Sequence, residues 1–331
     1  MYALFLSALA LVGCPSSSPL KKSNMTISTL KNALFYVGTK AAKTLFQRAA
    51  SGGHLGWTYT LDNVHRGGGI AQLADGGYFA TGYNFVQQTP LDSLAAVFRI
   101  SSTGRLTWGK VIDNLYVHGR WAFGIPVAAS EFVVTGLDAP YDYGTGRLHA
   151  LKLDTSGNIV WDRTYGNDEQ EPGAMCATGN GGCVIACQRT ISTASGSNNT
   201  YNYTSQVVLR KLDSVGDVVW ERYLESPMGF MGVNRMVALD GGGYVLVGDR
   251  AQIVRVDAEG NALWWNQYGD GSAGADGVGV ASDGGFVLAG TSLKSLPTPA
   301  VFKTDASGNL LWTAENIVPD QGNSQYTVRD A

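Results

Sequence analysis

Side chains able to do chemistry are few in this chain, and their spacing narrows what they could do. The four histidines (His54, His65, His118 and His149) lie outside any HExxH, GxSxG or phosphate-loop pattern. Cys176, Cys183 and Cys187 cluster without CxxC spacing or a nearby histidine, which argues against a zinc site. Around the Asn180-Gly181 turn, hairpin parity predicts all three on one sheet face. There they could be small buried side chains, form one cross-strand disulfide, or supply a reactive thiol. Acids are the more regular feature: Asp62, Asp113, Asp168 with Glu169 and Glu171, Glu225, Asp270 with Asp276, and Glu315 with Asp320 each follow a tryptophan. Such a series could ring a cation, Ca2+ being the one suited to carboxylates, or face a basic partner. No other cofactor is expected. The segment from Gln188 to Ser205, with Tyr201 and Tyr203 among Asn, Ser and Thr, has the composition of an adaptable binding surface.

The elements that position these groups are repeated. Asp154-Thr-Ser-Gly157 leads to Trp161, Asp213-Ser-Val-Gly216 to Trp220, Asp257-Ala-Glu-Gly260 to Trp264, and Asp305-Ala-Ser-Gly308 to Trp312. Looser copies end at Trp57 and Trp108, so six of the eight tryptophans form a ladder with spacings of 51, 53, 59, 44 and 48 residues. A second phrase stands in register before them: Asp75-Gly-Gly, Asn180-Gly-Gly, Gly241-Gly-Gly and Asp283-Gly-Gly, each opening an apolar run. The unit ending at Trp161 departs, with Ser130-Glu131 at that place. Both phrases are turn chemistry. Asp-Gly or Asn-Gly between apolar runs predicts a tight hairpin with two left-handed residues, and Asp-x-x-Gly a longer turn whose Asp caps backbone amides.

Each unit therefore reads as four short strands, a to d, with d ending near the Trp. Four strands per unit of this length predict an all-β, single β-propeller of four-stranded blades, six in number, with five or seven as the alternatives. Ala33 to Trp57 reads as strands b, c and d of the sixth blade, and residues 324–331 as its strand a, closing the ring. An amphipathic helix through Leu30, Leu34, Val37, Ala41 and Leu45 is the competing reading of the first part. The a–b and c–d turns would share one face. The b–c loops and d–a connections, which carry the acids and the variable segment, would share the other.

The D-x-x-G-x-x-x-W phrase resembles the tryptophan-docking repeats of PQQ-like propellers. The chain is closer still to the Trp-repeat propellers of bacterial secreted and lipoprotein chains. The further residues that carry this are W-x-x-x-Y-G (Trp161 to Gly166, Trp264 to Gly269) and K-x-D (Lys152 and Asp154, Lys211 and Asp213, Lys303 and Asp305). The resemblance implies a fold and leaves the ligand open.

Composition agrees with a strand-and-turn architecture: 43 of 331 residues are Gly, and 15% are charged against about 25% in ordinary soluble domains. The net charge of -3, with no basic groove, excludes nucleic acid as a partner. Residues 1–61 hold six basic and no acidic side chains, leaving 18 basic against 27 acidic in the rest. Tyr2 to Gly13 is an apolar run too short to span a bilayer and suited to a signal peptide. Its end, Leu11-Val-Gly-Cys14, resembles a bacterial lipobox, which implies lipidation of Cys14. An export leader without lipidation, or a start at Met25, is the alternative. The expected organisation is residues 1–13 as leader, 14–31 as tether and 32–331 as the propeller.

The function expected from these features is non-enzymatic: a monomeric binding or scaffold module for a protein or glycan, acting through the variable-loop face. It would sit in the bacterial cell envelope, touching membrane only through the lipid anchor, or be secreted. A quinoprotein-like or glycan-acting enzyme, and a structural surface protein without a discrete ligand, are the alternatives. Radiolabelled palmitate should enter the wild-type chain and not the Cys14→Ala variant. No label on wild type, or equal label on both, rejects the anchor.

Overall fold

The computed structural model describes residues 33–36, 44–48 and 58–61 and, from residue 66 onward, all but 86–92, 118–122, 139–145, 196–199, 230–231, 270, 293–297, 316–328 and 331. The sequence expectations for Cys14, the leader and tether, and Trp57 lie outside these residues. Strands are numbered in chain order. The first three, β1 (Ala33–Tyr36), β2 (Thr44–Arg48) and β3 (Thr58–Leu61), form an antiparallel three-stranded sheet. Residues 33–36 and 44–48 are thus strand and not helix.

Five four-stranded antiparallel units follow. Blade one holds β4 (Arg66–Gln72), β5 (Tyr78–Phe85), β6 (Ser93–Ile100) and β7 (Leu106–Val117). Blade two holds β8 (Phe123–Ala128), β9 (Glu131–Leu137), β10 (Gly146–Asp154) and the first half of β11 (Ile159–Ala177). The second half of β11 begins blade three and pairs with β12 (Cys183–Ser195), which is followed by β13 (Thr200–Leu212) and β14 (Val218–Glu225). Blade four is β15 (Val233–Ala238), β16 (Tyr244–Gly248), β17 (Gln252–Val256) and β18 (Ala262–Gln267). Blade five is β19 (Gly274–Val280), β20 (Phe286–Ser292), β21 (Thr298–Thr304) and β22 (Leu310–Glu315). The chain is an all-β propeller.

Two expectations are corrected. The C-terminal β23 (Arg329–Asp330) pairs with β22 through Trp312 and Thr313, and not with β1. Strand d of blade five carries an open edge of N–H and C=O groups, which this short strand occupies. The tryptophans also stand near the start of strand d rather than at its end: Trp108 is the third residue of β7 and Trp312 the third of β22.

Both repeated turns share one construction. In the a–b turn of blade one, the Gly76 amide donates to Leu73 O (2.9 Å) and the Leu73 amide to Gly77 O (2.8 Å). In the c–d turn of blade two, the Gly157 amide donates to Asp154 O and the Asp154 amide to Asn158 O, both at 3.0 Å. Only one residue of each of these two turns is left-handed, Gly76 (φ 78°) and Gly157 (φ 78°), where two were expected for the Gly-Gly hairpin. In blade four both glycines are left-handed as expected, Gly242 (φ 86°) and Gly243 (φ 81°). The second glycine of the phrase also serves close approach. In blades three to five, the carbonyl of strand c (Leu212, Val256, Thr304) occupies the place that a Cβ on Gly182, Gly243 or Gly285 would take. Asp154 Oδ1 caps its turn by accepting from the amides of Ser156 and Asn158, each at 2.8 Å. Backbone and side-chain amides of the asparagine four residues on hold the Asp154, Asp257 and Asp305 carboxyls below their usual range.

Blades meet through one indole each. Trp108, Trp161, Trp220 and Trp264 lie on the left-handed glycines of the next blade, Gly157, Gly216, Gly260 and Gly308. A Cβ there would stand between 2.7 and 3.1 Å from the ring. Trp108 Nε1 donates to Thr155 O (2.7 Å), and Trp161 Nε1 to Ser214 O (3.2 Å). The tyrosine of W-x-x-x-Y-G reaches the same seat, Tyr165 donating to Gly216 O (2.6 Å) and Tyr268 to Gly308 O (2.7 Å). Behind each indole lies an apolar cluster shared by the two blades, such as Val133, Leu148, Trp161, Ile185 and Val208. Strands b and c are consequently buried on both faces, which is why they read as unbroken apolar runs.

Truncating Trp161 to Ala should cost about 3–5 kcal/mol, read by denaturant unfolding. Gly216→Ala should cost clearly more than Gly179→Ala. Both glycines are left-handed, but a Cβ at 216 meets the indole and one at 179 meets nothing within 4 Å. Equal costs would show that the glycine seat is not tuned to the ring.

Candidate functional site

The innermost strands a bring their bulges to the face opposite the repeated turns. Extra residues interrupt the a–b ladders at Gly68, Gly173, Asn234 and Asp276. Each stands seven positions before the first residue of its turn phrase (Asp75, Asn180, Gly241 and Asp283). A bulge re-aims the side chain it carries, and two of these four carry one. Asn234 Nδ2 donates to Ala275 O (3.0 Å) and lies 3.4 Å from Asp276 Oδ1, tying blade four to blade five.

Three more polar groups join this pair. Arg235 follows the blade-four bulge and interacts with Asp276. Asp249 opens the very short b–c connection of blade four, a 3-10 turn in which Arg250 (φ 58°) and Ala251 (φ 50°) are both left-handed. Its amide donates to Gly232 O (3.0 Å), and its carboxylate fills the place of a Gly232 side chain. Gln188 of β12 points its amide to the same spot, with Oε1 3.5 Å from where that Cβ would be. Gln188 is 4% exposed, and its Nε2 finds no hydrogen-bond partner among the described residues. Burial, then the neighbouring Asp249 carboxylate, push the Asp276 carboxyl above its usual range, while Arg235 pulls it down. Burial also lowers the Arg235 guanidinium, and Asp276 offsets part of that.

The site thus combines two carboxylates, one guanidinium and two amides at the loop-face ends of blades three to five. None of its five side chains is a Ser, Cys, Lys or His. A Ca2+ cage needs six to eight oxygen ligands, and the guanidinium beside Asp276 opposes a cation. Among the described residues no group of three or more His, Cys, Asp or Glu is placed to hold a metal.

The residues expected from the sequence are scattered. Asp113 is exposed on β7, and Glu225 is exposed at the end of β14, accepting from Gln206 Nε2 (2.6 Å). Asp168 falls within β11, and Tyr201 and Tyr203 within β13. The described part of the variable segment, residues 188–195 and 200–205, is therefore strand. Asp62 and Asp270 lie outside the described residues. Of the acids considered whose side chains are described, Asp276 belongs to the cluster and Asp113 and Glu225 do not. Asn234, Arg235, Asp249 and Gln188 were missed, although aligning positions seven before each turn phrase would have picked out Asn234.

The cysteines are also corrected. In the ladder Cys176 sits opposite Val184, and Cys183 opposite Ala177. Cys176 packs with the core shared by blades three and four, whereas Cys183 and Cys187 belong to the core between blades two and three. Opposite residues share a face, so the trio is split across the sheet. All three are free. Burial pushes the Cys176 and Cys183 thiols up to about 12, the environment of inert structural cysteines. His149 is engaged as well, with Nδ1 2.9 Å from Asn114 O and Nε2 2.7 Å from Asp162 Oδ1.

No protein-family profile matches this chain. No curated protein sequence matches it either. Among solved structures, a variant of the Synechocystis apocarotenoid oxygenase is similar over 90% of this chain and 72% of its own, with 10% identity and a TM-score of 0.50. The similarity to BamB from Moraxella catarrhalis covers 82% of this chain and 85% of that one, with 14% identity and a TM-score of 0.43. Puromycin hydrolase matches at 14% identity and a TM-score of 0.48 over 84% of this chain, which spans 42% of the hydrolase. At these identities the likeness concerns the fold alone.

Asp276 should respond in opposite directions to its two charged neighbours. Carboxyl 13C titration should move down in pH in Asp249→Asn, which removes a like charge, and up in Arg235→Met. Because its folded pKa lies above the unfolded value, ionising Asp276 costs stability as pH rises through the carboxylate range. Asp276→Asn should therefore flatten that part of the stability–pH curve.

Proposed function

We propose that this chain is a non-catalytic binding or scaffold propeller of the bacterial cell envelope, lipid-anchored or secreted, of the tryptophan-docking type. It engages a protein or glycan through the face opposite its repeated turns. One observation carries the reading. Blade three departs from its neighbours by a two-stranded ribbon, β12 and β13 staying paired from Cys183↔Leu212 out to Ser195↔Thr200. The flanking strands stop earlier, β11 at Glu169↔Arg189 and β14 at Gln206↔Glu225. Six further residue pairs, Thr190↔Ser205 to Ser195↔Thr200, therefore project by roughly 20 Å. Among the described residues no third strand covers either edge of that projection.

An isolated ribbon is marginally stable, and its bare edges invite pairing. A projection of this kind on a rigid ring suits a docking arm, and strand addition is a common way to use such edges. The cluster at Asp249 and Asp276 stands near its foot, since Gln188 lies two residues before Thr190, where β12 leaves the blade.

The test compares the full chain with a variant in which residues 190–204 are replaced by a two-residue Asn-Gly turn. Incubated with envelope extract, the wild type should retain a partner that the shortened variant, folded to the same Tm within a few degrees, does not. Equal recovery by both would remove the ribbon from the binding surface.

A further inference from the structure

We propose that Asn180, in the a–b turn of blade three, is a site of spontaneous deamidation, in which the Gly181 nitrogen closes on the Asn180 side chain, ammonia leaves, and water opens the ring to a carboxylate. The change gives blade three the acid that blades one and five already carry at this place.

Asn180-Gly181 is the one Asn-Gly dipeptide in the chain, so no side chain on the following residue hinders ring closure. Local bonding favours it further. In blades one, four and five the matching glycine amide donates to a turn carbonyl: Gly76 to Leu73 O, Gly242 to Leu239 O and Gly284 to Ala281 O, each at 2.9 Å. Among the described residues the corresponding bond from Gly181 to Thr178 O is not formed, and this turn has a left-handed Gly179 (φ 78°) instead. The attacking nitrogen is therefore not tied to the turn. The group it attacks is prepared as well. Thr178 Oγ1 donates to Asn180 Oδ1 (2.6 Å), and the Gly182 amide lies 3.4 Å from the same oxygen. Donors on that oxygen draw charge from Cγ and stabilise the oxyanion that forms on attack. Asn180 is exposed, so water reaches it. The asparagines of the c–d turns are the contrast. Asn158, Asn261 and Asn309 precede Ile159, Ala262 and Leu310, and their side-chain amides donate to Asp154, Asp257 and Asp305.

The step balances with water as the only co-reactant. Gly181 N gives its proton to hydroxide and bonds to Asn180 Cγ. The Cγ–Nδ2 bond breaks, and Nδ2 leaves as ammonia with a proton from water. A water molecule then opens the imide. Breaking the new N–Cγ bond leaves aspartate on an intact backbone, and breaking the bond to the backbone carbonyl carbon leaves isoaspartate. The aspartate product suits the turn. In blades one and five Asp75 and Asp283 hold this place, each accepting on Oδ1 from the amide two residues on, Gly77 and Gly285, at 2.9 Å. Their carboxylates pair with Arg99 and Lys303 of strand c. Blade three has Lys211 at the same register, opposite Val184, with its ammonium 6.0 Å from the centre of the Trp220 ring. Conversion of the amide at 180 supplies the acid for that base.

The test incubates the full chain at neutral and mildly alkaline pH and follows the tryptic peptide of residues 164–189 by mass spectrometry with fragment sequencing. Conversion at 180 should outpace that at every other asparagine and rise with pH, because the attacking nitrogen must lose its proton. Thr178→Val, which keeps the shape and removes the donor, should slow conversion at least threefold in the folded chain and leave it unchanged in denaturant. Thr178→Ser, which keeps the hydroxyl, should convert within twofold of wild type. No conversion at 180 in the folded wild type overturns the proposal. Equal rates in folded wild type and Thr178→Val, or a threefold loss in Thr178→Ser, overturn it as well. Asn180→Asp should abolish the mass gain at 180 and keep or raise Tm. A lower Tm would show that blade three does not accept the carboxylate and would overturn the pairing with Lys211.

Discussion

Every blade boundary from blade one to blade five depends on an indole resting on a left-handed glycine. The contact is possible because the c–d turn has no Cβ at Gly157, Gly216, Gly260 or Gly308, so the ring can lie against bare backbone. It is held because turn carbonyls accept from Trp108 and Trp161, and from the tyrosines four residues on at Tyr165 and Tyr268. Each unit has too little core to fold alone. Its stability is a nearest-neighbour quantity, as in other repeat proteins. One large aromatic per joint, with an aliphatic cluster behind it, supplies that quantity.

This joint also explains the uniformity of one face. The Asp-x-x-Gly turn must keep its shape to present the seat, and its aspartate keeps the shape by capping two amides. Next to it a basic residue of strand c is buried and bridges to an acid in or just after the a–b turn: Arg99 to Asp75, Lys152 to Glu131, and Lys303 to Asp283. Such pairs contribute little net stability once desolvation is counted. Their recurrence at one register suggests that they fix how the two turns of a blade sit together. Lys152 further donates to Gly181 O and Ser214 O, which belong to blade three.

The opposite face is under no such constraint, and it is where the blades differ. Blade four closes its b–c connection with a strained three-residue turn, whereas blade three extends the same connection into a ribbon. Strain in two consecutive non-glycine residues is tolerated where surrounding structure over-determines it. Here the Asp249 amide is anchored on Gly232 O and the Tyr268 amide on Ala251 O. The result sets Asp249 over the bulges of blades four and five. Variation is thus confined to positions that the docking of indoles does not touch.

Much of the fold was legible because its signals are local. A glycine that must be left-handed, an aspartate that must cap, and an apolar run buried on both faces each leave their mark within ten residues, and the repeat multiplies the mark. The candidate site was not legible in this way. Asp276 read as one of many turn acids, and Asn234, Arg235, Asp249 and Gln188 carried no motif. Their meeting depends on a one-residue bulge in strand a and on the ring placing three blades around one point. Parity arguments failed for the cysteines for a related reason: which residues face each other is set by the register of the ladder, not by the position of the turn. The sequence by itself determined the repeating unit, its turns and its indole seats, because those are short-range backbone and packing requirements. The tertiary structure alone decided the partner of the last strand, the length of the blade-three ribbon and the convergence of the polar cluster, because these depend on contacts between segments far apart in the chain.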